Sequence, residues 1–116
     1  MACAAALATL DIYERENLFQ KAIELEGYWQ DALFSLRELP NVIDIRTVGL
    51  VAGVQFAAHA EGVGKRGYEI FRQCFADGLL VRASGDTIAL SPALIIEKKQ
   101  IDAIIERFAD AIRKAS

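Results

Sequence analysis

Apolar residues at Leu18, Ala22, Leu25, Trp29, Ala32 and Leu36 recur at helical spacing and draw one stripe down a helix. The whole stretch from Ala2 to Arg37 is rich in Ala, Leu and Glu, all good helix formers, and predicts helix in one piece or two. Asn17 follows the charged Glu14-Arg15-Glu16 and is placed to cap a second piece. Gly27 weakens the middle of that piece and Pro40 closes it. Cys3, Ala6, Leu7 and Leu10 carry the apolar character back to the start of the chain. From Asn41 the period changes. The β-branched Val42, Ile43 and Ile45 are interrupted by Asp44 and Arg46, which predicts strands over 42–47 and 50–57. Gly49 and Gly53 mark a tight join, a bulge or a close backbone approach.

Ala58 to Gly64 reads as a loop. Gly67 to Ala76 reads as a short helix with Tyr68, Phe71, Cys74 and Phe75 inward, ended by Gly78 as a left-handed cap. Leu79-Leu80-Val81 and Ile88-Ala89-Leu90 then flank the turn-rich Ser84-Gly85-Asp86, the pattern of a hairpin with Arg82 just before its turn. Pro92 ends the second strand. Glu97 to Ala115 is amphipathic: Ile101, Ile104, Ile105, Phe108 and Ile112 share a face, and Lys98, Asp102, Glu106 and Arg113 lie elsewhere. Helix, strands, helix, strands, helix predicts an α+β domain. Its small, mainly antiparallel sheet of about four strands is covered by helices and preceded by a long N-terminal helix.

Composition narrows the class. The chain has 116 residues, 53% apolar and 25% charged, which suits one globular domain with a modest core. A net charge of −3 argues against a nucleic-acid partner, because phosphate contacts need a basic surface. Cys3 and Cys74 have no paired spacing and no neighbouring histidine, so the expectation is two reduced, buried thiols in a cytoplasmic protein and no zinc site. No apolar run approaches the span of about 20 residues, and no membrane partner is expected. The opening MACAAALATL lacks the positive flank of a signal peptide. A start inside a small-residue helix suggests a chain cut from something longer, with Met1 added.

Candidate chemistry is sparse. Arg82 is a permanently charged planar fork on the rim of a sheet, suited to a carboxylate or simply solvated. Gly62 to Gly67 matches G-x-G-x-x-G before a helix, but no strand leads directly into it, so the reading is a flexible surface loop and not a nucleotide site. His59, the only histidine, has no nucleophile motif around it. Lys21, Lys65, Lys98, Lys99 and Lys114 lie on polar faces, and none looks like a buried Schiff-base lysine. No catalytic residue is identified.

Three stretches together resemble the C-terminal small domain of the class III, pyridoxal-phosphate-dependent aminotransferases, nearest the ω-amino acid (β-alanine):pyruvate branch. Ala2 to Leu7 is similar to the helix start that follows the family's S-G-H-P-type segment. Arg46 to Gly53 is similar to R-G-x-G-L-x-x-G, and Gly78 to Leu94 to G-(L/V)-(L/I)-x-R-x-x-G-x-x-(I/V)-x-(L/F)-x-P-P-L. Thr47 and Ala93 depart from these patterns at a glycine and at the second proline, which bears on the strand geometry and loosens the turn into the last helix.

The resemblance implies that residues 1–116 are a catalytically incomplete fragment with the fold of a fold type I small domain. It implies that Arg82 binds the substrate carboxylate and can swing aside. Pyridoxal phosphate would belong to the parent, a cytoplasmic homodimer acting on ω-amino and keto acids, with none bound to this chain. The cofactor lysine, the aspartate for the pyridine nitrogen and the phosphate cup would lie in an absent large domain. The surface of Cys3, Ala6, Leu7 and Leu10, left without that partner, is expected to drive self-association. The alternative is a free-standing α+β module, binding or regulatory, that takes a small carboxylate at Arg82.

Overall fold

The computed structural model describes all 116 residues. Helices α1 (Ala2–Arg15) and α2 (Leu18–Phe34) come first, followed by a 3-10 turn at Ser35–Glu38. Strands β1 (Val42–Val48) and β2 (Val51–Phe56) lead to helix α3 (Lys65–Ala76). Strands β3 (Arg82–Ser84) and β4 (Thr87–Leu90) precede the last helix, α4 (Lys98–Lys114). The α+β architecture is the predicted one: a four-stranded antiparallel sheet in the order β1-β2-β4-β3, layered with helices.

Period-two alternation gives the sheet two unlike faces. Ile45, Ala52, Val54, Phe56, Ile88 and Leu90 are buried and join one core with Trp29 and Leu33 of α2, Ile70 and Cys74 of α3, and Ile101, Phe108 and Ile112 of α4. The other face is open, with Asp44, Arg46, Val48, Val51, Arg82 and Ser84 exposed. Gly49, at φ +57°, and Leu50 form the two-residue turn between β1 and β2, where a positive φ suits glycine. The bulge lies at Ile43, between the Val42–Phe56 and Asp44–Gln55 pairs, and not at Gly53. A Cβ at Gly53 would touch only the tips of Thr87 and Arg46, at 3.6 and 4.0 Å.

Several expectations are corrected. Helix α3 buries Gly67, Ile70 and Cys74 with Phe71 half-buried, while Tyr68 and Phe75 point out, 58% and 66% exposed. The buried set is still an i, i+3, i+7 stripe, and it includes Gly67, which packs against the Gly85 backbone. Cys3 is exposed, because α1 has no buried residue, whereas Cys74 is buried as expected. Asn17 separates α1 from α2 by its left-handed backbone, φ +55°, with no side-chain cap. Leu79–Val81 is unpaired, and the hairpin ladder begins at Arg82. A two-residue turn pairs Ser84 with Thr87, so counting back places Arg82 opposite Ala89 and away from the tip.

Helix α4 starts where Gln100 Oε1 accepts the Glu97 N–H at 2.9 Å, half of a capping box. No helix is long and apolar enough to cross a membrane.

Candidate functional site

Antiparallel register lines up Arg46, Gly53, Ala89 and Arg82 in one row across the four strands. Directly opposed residues share a face, so two arginines stand on the open face with a glycine and an alanine between them. They are in different states. Arg46 Nη1 donates to Asp44 Oδ2 at 2.6 Å and to Gln55 Oε1 at 3.0 Å, and is neutralised on its own strand pair. Arg82 is exposed and has neither an ion pair nor a side-chain hydrogen bond. Its neighbours Ala83 and Ser84 are small. An unpaired guanidinium keeps all its donors available, and a carboxylate matches them two at a time.

The hairpin that carries Arg82 is held at its tip. The Gly64 N–H donates to Asp86 Oδ2 at 2.9 Å and the Gly67 N–H to Asp86 Oδ1 at 3.1 Å. The Phe56 N–H donates to the Asp86 carbonyl oxygen at 2.8 Å. The carboxylate thus fills the start of α3, where unpaired amides and the helix dipole favour an anion. Gly67 has to be glycine here: a Cβ would lie 2.1 Å from the Gly85 carbonyl oxygen. The G-x-G-x-x-G run is therefore neither a flexible loop nor an open phosphate cradle, since two of its glycines receive the chain's own hairpin. Sequence reasoning missed Asp86. The available signal was a Ser-Gly-Asp turn downstream of a glycine-rich helix start, two motifs read separately.

The remaining candidates are structural. His59 Nδ1 accepts the Glu61 N–H at 3.1 Å and orders its own loop. Lys65 pairs with Glu61, Lys114 with Asp77 at 3.3 Å and Lys99 with Glu97 at 3.9 Å, while Lys98 lies over the Tyr28 ring. All five lysines are exposed, so none is the buried amine that a Schiff base would use. Burial, with the nearby Asp77 charge, pushes the Cys74 thiol up to about 11, which makes it inert. Tyr28 donates to Asp102 across α2 and α4, and that bond raises the phenol above its ordinary range.

Comparison with known proteins gives a consistent picture. Residues 1–112 match the family described as Aminotransferase class-III. The chain is similar to an omega-aminotransferase of Caulobacter vibrioides, at 50% identity over 91% of this chain and 24% of the relative. It is similar to a beta-alanine–pyruvate aminotransferase of Pseudomonas aeruginosa, at 34% identity over 97% of this chain and 25% of the relative. Among solved structures, a transaminase with L-alanine superposes with a TM-score of 0.91 at 32% identity, over 97% of this chain and 28% of that one. The omega transaminase of Pseudomonas jessenii in complex with PMP gives 0.90 at 30%, over 97% of this chain and 26% of that one. The chain spans about a quarter of the length of the curated relatives it matches.

Proposed function

The chain belongs to the class-III aminotransferase family, and from that premise we propose that it is the C-terminal small domain of a cytoplasmic ω-amino acid:pyruvate aminotransferase. In this reading Arg82 binds the substrate carboxylate, and the catalytic residues belong to the large domain of the parent. The observation that carries the proposal is the state of Arg82, an exposed cation without an internal partner at the first paired position of a pinned hairpin. Both an ω-amino acid and a keto acid carry a carboxylate, so one guanidinium serves each in turn. On its own face the neighbouring Ser84 and the cross-strand Ala89 are small and leave it room to move aside.

The family implies pyridoxal phosphate in the parent enzyme. This chain's own residues do not fit that group. Its lysines are exposed and mostly engaged with acidic partners. The start of α3, where a phosphate would be favoured, already holds Asp86. No step beyond carboxylate binding is assigned to these residues. Without the large domain, the exposed surface of α1 around Cys3, Ala6, Leu7 and Leu10 would pair with a second copy.

Arg82→Lys in the complete enzyme tests the reading. Lysine keeps the charge and loses the two-point fork, a difference of about tenfold in KM for β-alanine when about 1.4 kcal/mol is lost. A simple amine without a carboxylate should be much less affected. Equal losses for both donors would show that Arg82 supports structure and does not read the carboxylate.

A further inference from the structure

We infer that Asp86 is a positioning residue for carboxylate recognition: by seating the β3–β4 tip on the start of α3, it sets where the Arg82 guanidinium stands. This rests on the role proposed above for Arg82 and extends it to a residue that touches no substrate. Strand β3 has only three residues and is the edge of the sheet, so its ladder to β4 restrains it on one side alone. Its preceding segment, Leu79–Val81, is unpaired. Val81 is held in the core at the near end of the strand, and the tip supplies the restraint at the far end. Asp86 takes the Gly64 and Gly67 amides, one on each carboxylate oxygen, and both bonds are charge-assisted. Gly85 stacks its carbonyl against Gly67 so closely that no side chain fits between them. The same β4 strand continues from Asp86 through Thr87 and Ile88 to Ala89, the cross-strand partner of Arg82. A shift at the tip therefore reaches Arg82 along three residue pairs of one ladder. Placement matters for binding, because a two-point pair with a carboxylate holds only when both N–H groups of the fork are in line with its oxygens.

The test uses the complete holoenzyme. Asp86→Asn keeps the shape but replaces one acceptor oxygen with a donor, and Asp86→Glu keeps the charge but pushes the tip outward. Each is made alone and together with Arg82→Ala, and kcat and KM are measured for β-alanine and for a simple amine. With Arg82 present, both Asp86 variants should raise KM for β-alanine about tenfold, with kcat and the amine reaction changed far less. In the Arg82→Ala background the same changes should have no further effect on KM, since they act through the missing guanidinium. A rise in KM that persists without Arg82, or equal damage to both donors, would overturn the inference by showing general support of the fold. No change in either background would overturn it too. If Arg82→Ala itself fails to discriminate the two donors, it is the carboxylate-binding reading that falls. Should Asp86→Asn not accumulate as folded enzyme, Asp86→Glu carries the same comparison.

Discussion

Two glycines show how much the surroundings of one residue decide. Gly27 lies inside α2, is exposed, and has nothing within 4 Å of where a Cβ would stand. Gly27→Ala should stabilise the chain by about 0.5–1 kcal/mol, the helix-propensity difference with no steric charge against it. Gly67 is also helical, but its Cβ would meet the Gly85 carbonyl at 2.1 Å and the Asp86 Cα at 3.0 Å. Both are backbone and cannot step aside without moving the hairpin, so Gly67→Ala should cost about 1–3 kcal/mol or more. Chemical denaturation of the two variants side by side checks the pair; the same sign for both would contradict the close seating of Gly67 on the hairpin. Trp29 is a further residue-scale tension. It is fully buried in the core, yet its indole N–H has no partner.

Helices α3 and α4 are tied at their C-terminal ends by Asp77, which accepts from Gln73 Nε2 at 3.1 Å and Lys114 Nζ at 3.3 Å. The Gln73 hydrogen bond first, and then Lys114, holds the Asp77 carboxyl below the ordinary carboxylate range. A depressed folded value favours the folded state at pH values above the unfolded one, about 3.9 for aspartate. That contribution shrinks as pH falls towards the lower folded value and is gone below it. Asp77→Asn should therefore lower stability at neutral pH and flatten the loss on acidification, read from urea denaturation at a series of pH values. An acid limb as steep as that of the unaltered chain would show that the tie does not couple to folding. Helix α1 is the contrasting element. It buries nothing, and the core is assembled without it.

At the scale of the whole molecule, an apolar helix without a partner has a consequence for association. Leu7 is 69% exposed and Leu10 59%, with Phe19 and Ile23 exposed at the head of α2. Burial gains about 25 cal/mol per Å², so a few hundred Å² would favour pairing by several kcal/mol before the entropy of association. A two-fold pair is the commonest closed arrangement. Sedimentation across a wide concentration range should show a dimer forming in the micromolar range. A strict monomer at high micromolar concentration, with residues 2–12 protected from hydrogen exchange, would contradict it.

Periodicity by itself determined the element content and order, the inward stripes of α2 and α4, and the α+β class, because those signals lie between neighbours a few residues apart. Three stretches, Ala2 to Leu7, Arg46 to Gly53 and Gly78 to Leu94, carried the family resemblance that the comparisons bear out. What was not legible involves partners distant in sequence. The rotation of α3, which turns Tyr68 and Phe75 outward, goes with the seating of Gly67 against the hairpin tip, 19 residues away. The offset of β3 depends on the closing pair of a turn, and not on where its apolar run falls. The juxtaposition of Asp86 with Gly64 spans 22 residues and leaves no periodic trace. The contrast between a neutralised Arg46 and an unpaired Arg82 belongs to tertiary structure for the same reason: the charges and amides that meet each side chain are set by which strands lie side by side.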